Sequence, residues 1–391
     1  VLKGKRILLG ITGSIAAYKT PDIARRLIEQ GASIQTVITE AGSKFIPPYT
    51  LEAVTGSTAH SDLFEDPFSH LELAKTSDLF LIAPATANTI NKLSCGIADN
   101  LLSTLMLSFE GPVLVAPAMN CRMYRNPVVQ KSIKKMEKRG VIFVGPEKGT
   151  LACGDEGEGR MSETAVLVES VVHTLAEKDL KGKNVLVTAG PTRESIDAVR
   201  YISNRSSGKM GYAIALAATR RGAEVTLITG PSSERPPQGV ELHPVETAGE
   251  MEKAVLSRLK KADALIMAAA VSDISPARPE QGKLDKKVIL DLKLKKTADI
   301  LKKAGEQKGK AVLVGFAAES GMDIRSAKEK LKNKNLDLIV LNDISKKDSG
   351  FDVDTNEISI IDRKGNLSEY PLMQKIEAAD IILDRLFNRQ P

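Results

Sequence analysis

Residues 2–19 read LKGKRILLGITGSIAAYK, and residues 180–197 read LKGKNVLVTAGPTRESID. Both open on Leu-Lys-Gly-Lys, run into a short apolar stretch and end in a turn rich in glycine and hydroxyl residues. The segments downstream repeat as well: IARRLIEQGASIQTVIT at 23–39 and IALAATRRGAEVTLITG at 214–230. Each reads as an amphipathic helix, a Gly-Ala turn and an apolar strand. Strand, loop, helix, turn and strand make a βαβ unit, so the chain starts the same architecture twice. Apolar runs at 79–83, 113–116 and 141–144 extend the first half, and runs at 264–270, 311–315 and 337–341 extend the second. The expected fold class is therefore α/β, with two doubly wound parallel-sheet domains whose ligands sit at the carboxyl ends of strands. The polar stretch AEKDLKGK (176–183) reads as a linker, giving domains at 1–178 and 181–391.

Composition narrows the function. A chain of 391 residues is long enough for two sizeable cores. The longest apolar run, ALIMAAAV at 264–271, is far too short to span a membrane, and no secretory signal is read at the N-terminus. Three cysteines (95, 121 and 153) without a C-x-x-C pair fit a reducing cytoplasm better than a disulfide framework or a zinc site. The net charge of +6 invites a nucleic-acid reading, but aromatics make up 4% of the chain and tryptophan is absent, so base-stacking surfaces would be scarce. The lysines crowded into 251–348 are either a solvated face or a pocket for a small polyanion. Small phosphorylated molecules suit them better than duplexes.

Neither half carries a dinucleotide fingerprint or a Walker loop. GITGSIAAYK lacks the G-x-G-x-x-G spacing, and in SSGKMG (206–211) Met210 stands where Ser or Thr would bind magnesium. In the first half, TGSIAAYK (12–19), APATANTINKL (83–93) and APAMNCRM (116–123) fall at strand ends. Their small residues and hydroxyls suit a flat phosphorylated cofactor that backbone must approach closely. His70 in FSHLELAK opens a helical pattern and is either an acid–base residue or a capping residue. Asn120 either binds a carboxylate or forms a turn. Cys153 in LACGDEGEGRM (151–161) has glycines and acids rather than apolar neighbours, so it is a surface cysteine or a functional thiol on a glycine-hinged loop.

PAMNCRM, HLELAK, PATANT and ACGDEGEGRM resemble segments of the flavin-dependent cysteine decarboxylases. RYISNRSSGKMGYAIA (200–215) and GFAAES (315–320) resemble the phosphopantothenate–cysteine ligases. The chain as a whole is thus similar to the bifunctional coenzyme A biosynthesis family. That resemblance implies a flavodoxin-like flavoprotein domain followed by a Rossmann-like ligase domain. It implies FMN held by Gly13, Ser14, Ile15, Thr39, Thr86, Ala87, Asn88, Thr89 and Ala118. His70 would be the base, Asn120 would bind the carboxylate to be lost, and Cys153 would protonate the last intermediate. The family oxidises the carbon bearing sulfur with FMN, which gives the electrons of the departing carboxylate somewhere to go.

For the second half the resemblance implies ligation of 4′-phosphopantothenate to cysteine with CTP, through an acyl-cytidylate. The implied CTP contacts are Met267, Ala268, Ala269, Asp273, Lys283, Ala298, Asp299, Ile300, Leu301, Phe316, Lys330 and Lys334. Asn204 would serve conversion of the acyl intermediate, and Lys283, in PARPEQGKLDKK (276–287), would sit on a mobile loop. Lys330 and Lys334 are spaced to share one helix face. Mg2+ is expected with the triphosphate, with no carboxylate cluster that names its ligands. The resemblance further implies a homododecamer, with trimers through the first domain and dimers through the second; the cysteine usage puts the chain in the cytoplasm, and its composition leads to no nucleic-acid or membrane partner. A flavin prenyltransferase-like enzyme and a non-catalytic regulatory flavoprotein are the competing readings; the Asn120 motif and the Cys153 loop argue against the first.

Overall fold

A computed structural model describes residues 2–64, 68–150, 152, 154–285, 291–319, 323–343, 350 and 352–387. The chain divides into two compact units, Val1–Ala176 and Glu177–Pro391.

In the first unit, β1 (Arg6–Ile11), β2 (Ser33–Ile38), β3 (Ala59–His60), β4 (Leu79–Ala85), β5 (Val113–Pro117) and β6 (Ile142–Phe143) form one sheet in the order β3-β2-β1-β4-β5-β6. All its pairings are parallel. Leaving out the two-residue β3, the strands run 2-1-3-4-5 in their own order, which is the flavodoxin-like arrangement. Strand β1 explains why the sheet is covered on both faces. Ile7, Leu9 and Ile11 join the core under the helices Thr20–Glu29 and Thr164–Leu175, while Leu8 joins Phe80, Ile90 and Leu105 on the opposite face. Successive side chains point to opposite faces, so a strand that is apolar from Ile7 to Ile11 must be buried on both. A separate antiparallel hairpin pairs β7 (Glu147–Thr150) with β8 (Glu156–Arg160).

The second unit repeats the plan and extends it. Its strands are β9 (Asn184–Ala189), β10 (Arg193–Ser195), β11 (Tyr201–Ser203), β12 (Glu224–Thr229), β13 (Glu241–Pro244), β14 (Ala264–Met267), β15 (Ile274–Pro276), β16 (Leu294–Lys296), β17 (Val312–Glu319), β18 (Leu338–Asp343), β19 (Thr355–Asp362) and β20 (Leu367–Gln374). The main sheet runs β13-β12-β9-β14-β17-β18-β19-β20. From β13 to β18 it is parallel, and the order reverses between β9 and β14. The last two strands are antiparallel, a departure from the all-parallel expectation. The turn between them accounts for the β19–β20 pairing: Asp362 accepts the N–H groups of Lys364 and Asn366 at 2.9 Å, and Gly365 takes a positive φ of 85°. A hairpin this tight returns the chain beside itself with no crossover helix.

The polar stretch read as a linker is folded onto the second unit. Leu180 is buried in its core, and Asp179 pairs at 2.6 Å with the buried Arg221 guanidinium. Among the described residues, no helix is long and apolar enough to cross a membrane.

Candidate active sites

The first unit gathers its expected cofactor residues along the carboxyl edge of β1, β2, β4 and β5. Gly13, Ser14 and Ile15 follow β1; Thr39 follows β2; Thr86–Thr89 follow β4; Ala118 follows β5. Buried Thr12 ties two of these loops together: its hydroxyl donates to the Pro84 carbonyl at 2.7 Å and accepts the Thr86 N–H at 3.1 Å. Ala118 N–H donates to the Ala85 carbonyl at 2.9 Å, adding the third loop. Ser14, Thr39 and Thr86 each cap a helical turn with the side-chain oxygen. A Cβ added at Gly13 would lie 2.6 Å from Ala41 Cβ, so this loop is pressed too closely to its neighbour for a side chain. The edge lies beside β1 and β4, where the strand order reverses and ligands of open α/β sheets bind. Capped helix starts and bare backbone there fit a phosphorylated flavin.

His70 stands in the first turn of the helix Ser69–Thr76, and its buried Nδ1 has no hydrogen-bond partner. An orphaned ring nitrogen of this kind calls for a partner that a bound ligand can supply. Asn120 caps the helix Cys121–Arg125, accepting the Arg122 N–H at 2.8 Å and donating from Nδ2 to Asp155 at 2.9 Å. Cys153 lies outside the described residues. The segment around it departs from a glycine-hinged loop, because Gly157 and Gly159 lie in β8 and are packed against the loop after β5. A Cβ on Gly159 would stand 2.2 Å from the Met119 carbonyl oxygen, and one on Gly157 would stand 2.8 Å from Cys121 Cβ. These two glycines permit close approach. Only Gly154, with φ of 85° and nothing around it, is free to act as a hinge.

In the second unit a cavity of about 880 Å³ opens at the carboxyl ends of β14 and β17. Met267, Ala268, Ala269, Asp273, Ala298, Asp299, Ile300, Leu301, Phe316, Lys330 and Lys334 all line it, and so does Asn204. Asn204 Nδ2 donates to the Val271 carbonyl at 3.0 Å. Thr188, on β9, accepts the Ala269 N–H at 3.2 Å, so both strands at the order reversal shape the wall. Asp299 caps the helix Ile300–Gln307 and pairs with Lys334 at 2.8 Å. Burial pushes the Asp299 carboxyl up, but hydrogen bonds from Lys334 and the Lys302 amide outweigh it and leave it below its ordinary value. Lys334 is not inside the helix as its spacing implied; the helix ends at Asn333 and Lys334 caps it, still facing the cavity. Lys283 is exposed and does not line the cavity. The backbone of its neighbour Leu284 is held at both ends: its N–H donates to Asp197 at 3.1 Å and its carbonyl accepts from Arg200 at 2.8 Å.

Among the wall residues that the sequence reading left out, Lys375 stands apart by its burial. Lys375 is buried, and its ammonium donates to the carbonyls of Gly350, Val353 and Thr355. Burial, helped by nearby Lys209, lowers its pKa to about 8. Nothing in its local sequence marks it, since Lys375 begins an ordinary amphipathic helix. Among the described residues no group of three or more His, Cys, Asp or Glu could hold a metal.

Residues 1–176 match the Flavoprotein family, and residues 180–389 match the DNA/pantothenate metabolism flavoprotein C-terminal domain. The coenzyme A biosynthesis bifunctional protein CoaBC of Bacillus subtilis (strain 168) is 42% identical over 395 residues, covering 99% of this chain and 97% of its own. The protein of the same name from Vibrio parahaemolyticus is 46% identical over 376 residues, covering 94% of each chain. Among solved structures, the FMN binding protein AtHal3 is 31% identical over 43% of this chain and 95% of its own, with a TM-score of 0.40.

Proposed function

The chain belongs to the family of coenzyme A biosynthesis bifunctional proteins, and from that premise we propose how its two units divide the work. It ligates 4′-phosphopantothenate to cysteine and decarboxylates the 4′-phosphopantothenoylcysteine so formed. Residues 1–178 carry the decarboxylation and residues 181–391 the ligation. The flavin prenyltransferase-like and regulatory readings have no support from this membership.

In the decarboxylase unit the loops after β1, β2, β4 and β5 hold FMN. Bound FMN would supply a two-electron oxidation at the carbon bearing sulfur, giving the electrons of the departing carboxylate a sink, and would return the same two electrons to the decarboxylated intermediate. His70 takes a proton from the substrate, Asn120 orients its carboxylate through Nδ2, and Cys153 returns a proton to the last intermediate. The hairpin β7–β8 shields this chemistry from water.

In the ligase unit the carboxylate of 4′-phosphopantothenate attacks the α-phosphate of CTP, forming acyl-cytidylate and expelling pyrophosphate. The cysteine amine then attacks the acyl carbon and CMP leaves. Lys330 and Lys334, together with Lys283, which must move to reach the cavity, offset the negative charge of the triphosphate, which brings Mg2+ on its own phosphate oxygens. Asn204 orients the acyl group for the second step. The protein works in the cytoplasm as a homododecamer, and light scattering that gives a smaller particle removes the assembly.

The observation that carries this reading is the convergence on one cavity of Asn204 and every implied nucleotide contact except Lys283. Rapid quench with labelled CTP tests it. Asn204→Asp should accumulate acyl-cytidylate, and Lys283→Gln should form it at least ~100-fold more slowly than wild type. Normal turnover by both variants would overturn the assignment of the site.

A further inference from the structure

The hairpin β7–β8 is seated on the loop after β5 by backbone contact, with Met119 N–H donating to the Gly159 carbonyl at 2.9 Å. At the tip end of β8, Asp155 places a carboxylate oxygen 2.9 Å from Asn120 Nδ2. The Asn120 amide cannot turn over without losing its cap, because its oxygen accepts the Arg122 N–H at 2.8 Å. The NH2 side therefore faces Asp155, and a carboxylate already occupies the group assigned above to the substrate carboxylate.

We propose that Asp155 is an internal stand-in for the substrate carboxylate: it holds the Asn120 amide in the free protein and is displaced when a ligand bearing a carboxylate arrives. The inference rests on the assignment of Asn120 in the proposed function. Two carboxylates against one amide repel each other, so the exchange is competitive. A ligand without the carboxylate leaves Asp155 in place. The contact thus makes Asp155 respond to the group that is to be lost.

The test uses the FMN-loaded full chain and two unreactive probes, 4′-phosphopantothenoylserine and 4′-phosphopantothenoylethanolamine, which differ only in the carboxylate. Shifts in flavin absorbance report binding at this site and not at the ligase cavity. Asp155→Ala should tighten binding of the serine probe by about five- to ten-fold, the value of a partly exposed charged hydrogen bond, and leave the ethanolamine probe within about two-fold. Asp155→Asn, which keeps the shape and drops the charge, should fall between Asp155→Ala and wild type. Unchanged or weaker binding of the serine probe in Asp155→Ala overturns the proposal. If instead Asn120→Ala weakens both probes equally, the assignment of Asn120 itself fails. Selective loss of the serine probe in Asn120→Ala upholds that assignment and leaves Asp155 to be judged on its own variants.

Discussion

Two residues set in unremarkable sequence carry consequences that can be measured. Gly159 looks like a hinge in a Gly-rich run, yet its place in β8 leaves 2.2 Å between an added Cβ and the Met119 oxygen. Gly159→Ala should destabilise the first unit by about 1–3 kcal/mol, the usual cost of overpacking, and speed hydrogen exchange at the Met119 amide. Gly154→Ala, in open space but at positive φ, should cost only ~1 kcal/mol and leave Met119 protected. Equal exchange in the two variants contradicts the packing account. Lys375 predicts a pH dependence. Its pKa is lowered to about 8 in the folded chain against an ordinary value of 10.5, so from about pH 8 to 10.5 the unfolded chain holds a proton that the folded chain has released. Stability must therefore rise with pH across that window. In denaturant titrations the gap between wild type and Lys375→Met should change steadily from pH 7.5 to 10 in the direction that favours wild type, and a constant gap would show that burial does not depress this lysine. Asn120 and Asn204 stand out as candidates in the sequence because their neighbours carry a recognisable spelling. Asp155 and Lys375 do not, because an acid in a glycine run and a lysine at a helix start are ordinary until tertiary contacts give them partners.

At the scale of elements, the βαβ grammar was readable because strands such as β1 and β9 are almost wholly apolar after a polar first residue and each leads on to a helix and a Gly turn. Strand ends were less so. β14 stops at Met267 although the apolar run continues to Val271, because the chain there turns to face the cavity and its carbonyls go to Asn204. The hairpin β19–β20 was missed altogether, although the Asp-Arg-Lys-Gly-Asn turn was visible at 362–366. The parallel pattern upstream had set the expectation. The role of 176–183 was also hidden, because pairing across forty residues has no local mark. Arg221 caps the helix Lys209–Arg220 and pairs with Asp179 at 2.6 Å and with Asp384, on the C-terminal helix Lys375–Leu386, at 2.8 Å. Removing the arginine leaves two carboxylates without their cation. Arg221→Met should destabilise the second unit by about 3–5 kcal/mol while flavin retention by the first unit stays at the wild-type level. Calorimetry with flavin absorbance separates the two, and a loss below ~1 kcal/mol would mean the cluster is only a surface pair.

Across the whole molecule, one plan is used twice for different chemistry. In each unit the sheet order reverses beside its first strand, and the residues read as functional collect at the carboxyl edge there. Geometry of this kind positions a site and leaves the reaction to the side chains that the loops carry. A single incubation tests whether one chain makes 4′-phosphopantothenoylcysteine and then decarboxylates it. The FMN-loaded protein is given 4′-phosphopantothenate, cysteine, Mg2+ and labelled CTP, and all products are counted. 4′-Phosphopantetheine, carbon dioxide, CMP and pyrophosphate should form in equal amounts. Release of CDP and phosphate would contradict the acyl-cytidylate route, and 4′-phosphopantothenoylcysteine that accumulates without carbon dioxide would contradict the decarboxylase.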